Sequence, residues 1–100
     1  MKYVSTRSGA PDLDFEEVLL TGLGRDGGLY VPKNWPQFSK ADINDLRGLN
    51  YSELAAEIMK PFVGNTIPTD SFKELIRETY AEFNHQAIAP LKQIGHNHWV

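Results

Sequence analysis

The 100-residue chain has no cysteine. That excludes disulfide staples, thiolate metal sites and a thiol nucleophile, though it does not settle the compartment. There is no run of about 18 apolar residues, and Met1-Lys2-Tyr3 leads straight into polar residues, so neither a membrane span nor a secretory leader is expected. An excess of basic charge is also missing. With 10 Lys and Arg against 13 Asp and Glu, the net charge is -3. Nothing therefore points to nucleic acid or an anionic membrane as a partner. No internal repeat or low-complexity tract occurs. What is present, 41% hydrophobic and 23% charged residues, is the composition of one soluble globular domain over 1–100.

Along the chain, Lys2–Thr6 is short, β-branched and aromatic, and reads as a strand. After a loop, Asp14 is placed to cap a helix with Glu17 in capping-box position, Asp12 being a second candidate cap. Phe15, Val18, Leu19 and Leu23 share a face of that helix. Ser39 with Asp42, Asn50 with Glu53 and Ser71 with Glu74 mark three more helix starts. The second of these helices carries a stripe of Tyr51, Leu54, Ala55, Ile58, Met59 and Phe62, with Pro61 expected to kink it or end it around Lys60. The last runs to Asn84 with Phe72, Leu75, Ile76, Tyr80 and Phe83 inward. Phe62, Phe72, Tyr80 and Phe83 are expected to form the core between these two helices. Gln86–Gly95 reads as extended and broken by Pro90. "HNHWV" closes on Trp99-Val100, two large β-formers, as if a strand had been cut partway, so the chain is expected to be the front of something longer. The fold class is α+β: a mainly helical small domain with a few short strands.

"GLGRDG", residues 22–27, has the G-x-G-x-x-G spacing of a dinucleotide loop. In such a loop the glycines follow a strand and open a helix, whose amino terminus meets the pyrophosphate. Here the order is reversed: Gly22 and Gly24 close a helix, Asp26-Gly27-Gly28 turns, and "LYVP" continues as a strand. The glycines read as a helix cap and a tight structural turn, with a left-handed residue expected at Gly27.

Other chemistry is sparse. His96 and His98 share one face of a strand, but the only other histidine is His85, so no metal site is expected. Glu16 with Glu17, Glu53 with Glu57, and Asp42 with Asp45 lie on polar helix faces or first turns, where carboxylates favour the helix dipole. Ser5-Thr6-Arg7-Ser8-Gly9 holds the parts of an anion-binding loop: three hydroxyls, a guanidinium and a glycine directly after a strand. An ordinary polar loop has the same composition. No serine has the histidine and acid that a nucleophile requires. From the residues alone the chain has no complete catalytic constellation.

"STRSGAP…DFEEVLLTGLGRDGGLYVP" resembles the amino terminus of the threonine synthases, which open with a Y-x-S-T-R strand and loop followed by a helix and a D-G-G-L-Y/F-V/I-P block. Tyr3, Ser5, Thr6, Arg7, Phe15, Glu16, Gly22, Leu23 and Asp26 to Pro32 stand in those places. "LNYSELAAEIMKPFVG" and "YAEFNHQAIAPL" are similar to later family segments, so the likeness spans almost the whole chain. Two departures stand out: Gly24 replaces the more usual alanine, and Ser8 adds a side chain to the loop. The resemblance implies the amino-terminal domain of a fold-type II pyridoxal-phosphate enzyme, cytoplasmic, a lyase converting O-phospho-L-homoserine and water to L-threonine and phosphate. The family's Schiff-base lysine lies in an F-H-G-P-T-x-A-F-K-D segment, which none of Lys2, Lys33, Lys40, Lys60, Lys73 and Lys92 matches. Residues 1–100 are therefore expected to bind no pyridoxal phosphate and to make no threonine, but to dock against the missing cofactor domain of the same chain. Ser5, Thr6 and Arg7 are the substrate-facing candidates, and Asp26, Gly27 and Gly28 the structural turn. Two other readings remain open: a stand-alone α+β interaction domain, and a threonine synthase-like lyase for a related phosphohydroxy amino acid.

Overall fold

The computed structural model describes residues 1–100. Strand β1 (Tyr3–Ser5) pairs antiparallel with β2 (Tyr30–Pro32), with Tyr3 opposite Pro32 and Ser5 opposite Tyr30. Alternation along β1 turns Tyr3 and Ser5 inward, where both are buried. Between the strands lies α1 (Phe15–Thr21), capped by Asp14 with the reciprocal Glu17 bond and closed by Gly22 at φ 73°. Helix α2 (Lys40–Asp45) starts at the Ser39–Asp42 box, and α3 (Tyr51–Val63) at the Asn50–Glu53 box. Helix α4 (Thr69–Ala81) folds back on α3. A second ribbon, β3 (Gln93–Gly95) with β4 (His98–Trp99), ends the chain. Four helices and short strands make this an α+β fold.

The core is small. Ala56 and Val63 of α3 meet Phe72 and Ile76 of α4, with Phe15, Ala55, Ile67 and Tyr80 half-buried around them. Tyr3 ties the first ribbon to this pair: its hydroxyl donates to the Phe62 carbonyl at 2.7 Å, and its ring lies 6.4 Å from that of Phe15. Burial raises the Tyr3 phenol above its ordinary range.

Several sequence expectations are corrected. Helix α3 does not end at Lys60 but runs through Pro61 to Val63. Pro61 lies in the last turn, where its fixed φ suits the helix and only one intrahelical bond is lost. Helix α4 begins at Thr69, two residues before Ser71, and no Ser71–Glu74 box forms. Pro68 occupies the cap position and its carbonyl accepts the Phe72 N–H at 2.9 Å, which leaves Glu74 free to pair with Arg77. The helix also ends at Ala81, short of Asn84. The deepest residues of α3 are Ala56 and Val63, outside the expected stripe, while Ile58, Met59 and Phe83 stay exposed. Leu19 of α1 is likewise exposed, and so is Leu23, which lies beyond the end of that helix.

The radius of gyration is 16.4 Å, against about 13 Å for a compact chain of this length. The excess fits the small core and a projecting end, since every residue from Ala89 to Val100 is exposed.

Candidate functional site

The first ribbon brings two distant stretches together. Pairing Ser5 with Tyr30 sets the loop after β1 against the turn before β2. Thr6 N–H donates to the Leu29 carbonyl at 2.9 Å, and Leu29 N–H returns to Thr6 Oγ1 at 3.0 Å. Within the turn, Gly24 N–H reaches the Gly28 carbonyl at 2.8 Å, and Gly27, at φ 76°, donates to the Gly24 carbonyl. The left-handed conformation expected at Gly27 is thus present.

Asp26 sits at the centre. Its carboxylate accepts the Ser5 hydroxyl, 2.8 and 2.9 Å from the two oxygens, the Gly28 N–H at 2.9 Å and the Gly9 N–H at 2.7 Å. Foremost the Gly28 N–H, then the Ser5 hydroxyl and the Gly9 N–H, hold this carboxyl below its ordinary range against the opposing effect of desolvation. Space is tight: a Cβ on Gly28 would lie 2.2 Å from Ser5 Oγ, and one on Gly24 would lie 2.6 Å from Asp26 Oδ1. Gly24 therefore leaves room for the carboxylate.

The Ser5 hydroxyl and the Gly9 N–H, at the two ends of this stretch, hold an anion that is the protein's own, the Asp26 carboxylate. This separates the three substrate-facing candidates. Ser5 is buried with its hydroxyl committed to Asp26, and the same Ser5 oxygen accepts the Arg7 N–H at 3.2 Å. The Thr6 oxygen is engaged by Leu29. Arg7 is exposed; its Nη1 donates to the Asp26 main-chain carbonyl at 3.2 Å, and no carboxylate pairs with it. Of its five N–H donors, the other four have no partner in the chain.

Sequence reasoning placed Asp26 to Gly28 in a turn and Ser5 to Arg7 in a loop, but did not join them. The signal was available: a hairpin of "YVS" with "YVP" would have set Asp26 beside Ser5.

The remaining candidates lie elsewhere. Glu17, Asp42 and Glu53 are spent on capping boxes, and Glu57 pairs with Lys73 at 3.0 Å. His85 Nδ1 accepts the Ala87 N–H, while His96 and His98 lie on the projecting ribbon. A Schiff base with pyridoxal phosphate requires an enclosed lysine that can lose its proton. All six lysines are exposed, and the hydrogen bond and charge of Glu57 favour the protonated form of Lys73, which lines a cleft between α3 and α4. The residues present do not fit that cofactor.

A second surface was missed altogether. Phe15 and Leu19 of α1, Met59 and Phe62 of α3, and Leu75 and Tyr80 of α4 line an open apolar groove of about 540 Å³.

A two-stranded ribbon locked by an internal carboxylate and leaning on a helical hairpin defines the class: a small α+β domain with exposed apolar faces. Residues 2–80 match the family model described as the threonine synthase N terminus, so the chain belongs to the threonine synthase amino-terminal family. It is similar to threonine synthase of Pseudomonas aeruginosa, 52% identical over the whole chain and 21% of that protein. Its fold superimposes on a PLP-bound threonine synthase from Brucella melitensis with a TM-score of 0.90 and 49% identity, covering all of this chain and 22% of that one. Threonine synthase from Escherichia coli gives 0.79 at 26% identity, covering 95% of this chain and 21% of that one. The chain thus spans about a fifth of the length of the relatives it matches. No helix is long and apolar enough to cross a membrane.

Proposed function

We propose that this chain works as the front part of a cytoplasmic threonine synthase, which converts O-phospho-L-homoserine and water to L-threonine and phosphate. Pyridoxal phosphate, when bound, supplies the electron sink for that chemistry, and its lysine belongs to a part of the enzyme outside residues 1–100. By themselves these residues hold no cofactor and make no threonine. Their role is to dock on the cofactor-binding part and to present the loop after β1 to the substrate.

One observation carries the substrate-facing role. Arg7 is an exposed cation with four free donors on a loop where Ser5 Oγ, Thr6 Oγ1 and the Gly9 N–H are all engaged internally. A guanidinium in that state suits the phosphate or carboxylate of phosphohomoserine. Ser5 and Thr6 support Arg7 rather than touching substrate.

Arg7→Ala in full-length threonine synthase carrying this domain is expected to raise KM for O-phospho-L-homoserine about ten- to a hundredfold, the size of a lost charge-assisted hydrogen bond. An unchanged KM and kcat would remove Arg7 from the site.

A further inference from the structure

We propose that Asp26 is a positioning residue for Arg7, fixing the direction of the guanidinium from both ends while touching no substrate itself. The proposal rests on the reading of Arg7 given above.

Asp26 acts on Arg7 in two ways. Its carboxylate binds the Ser5 hydroxyl and the Gly9 N–H, one on each side of Arg7 in the chain. Ser5 Oγ in turn accepts the Arg7 N–H, so the backbone of residue 7 hangs from the carboxylate through one hydroxyl. At the other end of the side chain, Nη1 rests on the Asp26 main-chain carbonyl. Gly27 allows this: a Cβ there would lie 3.0 Å from Nη1. A long flexible side chain on an exposed loop loses rotamer freedom when it binds a ligand. One already held at its root and its tip binds its anion in a prepared direction.

The same geometry keeps the positive charge available. Asp26 spends its carboxylate on N–H and O–H donors of the loop and offers Arg7 only a neutral carbonyl. A direct ion pair would have consumed the guanidinium. Elsewhere in the chain three basic side chains are consumed in that way: Lys33 is paired with Asp12, Lys73 with Glu57 and Arg77 with Glu74.

The test uses full-length threonine synthase carrying this domain, with O-phospho-L-homoserine as substrate. Asp26→Asn keeps the shape but turns one acceptor oxygen into a donor, so the Gly28 and Gly9 N–H groups cannot both be satisfied. It is expected to raise KM about five- to tenfold with kcat within about twofold, and to add nothing when combined with Arg7→Ala, because its effect passes through Arg7. Ser5→Ala, which removes the hydroxyl link, should give the same KM-only change and serves as the decisive variant if Asp26→Asn does not fold by circular dichroism. Three results overturn the inference: no change in KM, a matched loss in kcat, or an Asp26 effect of undiminished size in the Arg7→Ala background. A KM that rises for Arg7→Ala but not for Asp26→Asn or Ser5→Ala leaves the substrate role of Arg7 standing and removes Asp26 from it. A KM indifferent to Arg7→Ala fails at the earlier step instead.

Discussion

The molecule contains two short antiparallel ribbons, built from similar residues and held in different ways. In the first, Tyr3 and Ser5 are 7% and 4% exposed, the turn is locked by the Asp26 carboxylate, and a tyrosine hydroxyl reaches across to α3. In the second, Ile94 and Trp99 are 63% and 55% exposed, and the register shifts between Gln93 and Gly95. Paired backbone bonds between Lys92 and Val100, at 2.8 and 3.0 Å, extend the second ribbon without covering it. A two-stranded hairpin alone is marginal in water. Both ribbons carry strong strand formers, Tyr and Val in the first and Ile and Trp in the second; what the second lacks is the packing and the internal anion that fasten the first to the rest.

The sharpest way to break this comparison is to remove the support itself. Phe72→Ala should cost about 3–5 kcal/mol, the usual loss for a buried aromatic ring. With a core of four buried residues, that should unfold the first ribbon together with α3 and α4. A cooperative melt near that of the unaltered chain would show that the core is not what holds the first ribbon.

Acid should act next, through the turn. Because the Asp26 carboxyl lies below its usual 3.8 when folded, its stabilisation is present above that value and is lost as pH falls through the folded one. Asp26→Asn is expected to lower Tm by about 5 °C at neutral pH, and that gap should close as the solution is acidified. Melts at a series of pH values decide it; a gap that stays constant into strong acid would mean that the ionised carboxylate contributes nothing. The smallest effect belongs to the second ribbon. Trp99→Ala should change the stability of the 100-residue chain by less than about 0.5 kcal/mol, as expected for an exposed residue outside any packed cluster. A larger drop in a denaturant melt would place that ribbon within the cooperative unit.

Local signals were the legible part of this sequence. Asp14 with Glu17, Ser39 with Asp42 and Asn50 with Glu53 each form the reciprocal box that their spacing promised. Ser71 with Glu74 has the same spacing and forms none, because the helix is capped at Pro68, three residues earlier in the chain. Apolar stripes located the helices but overstated what they bury. Leu19, Met59 and Leu75 obey helical periodicity and still line an open groove, since periodicity says which face is apolar and not what covers it. The candidate site was half legible: loop and turn could each be read from composition, whereas the bond between Ser5 and Asp26 joins residues 21 apart and depends on strand register.

The Tyr3 hydroxyl also has a temporal side. Its acceptor, the Phe62 carbonyl, lies 59 residues further along, in the last turn of α3, where the helix leaves carbonyls without partners of its own. During synthesis at about 5–20 residues per second, Tyr3 must wait several seconds before that anchor emerges from the ribosome.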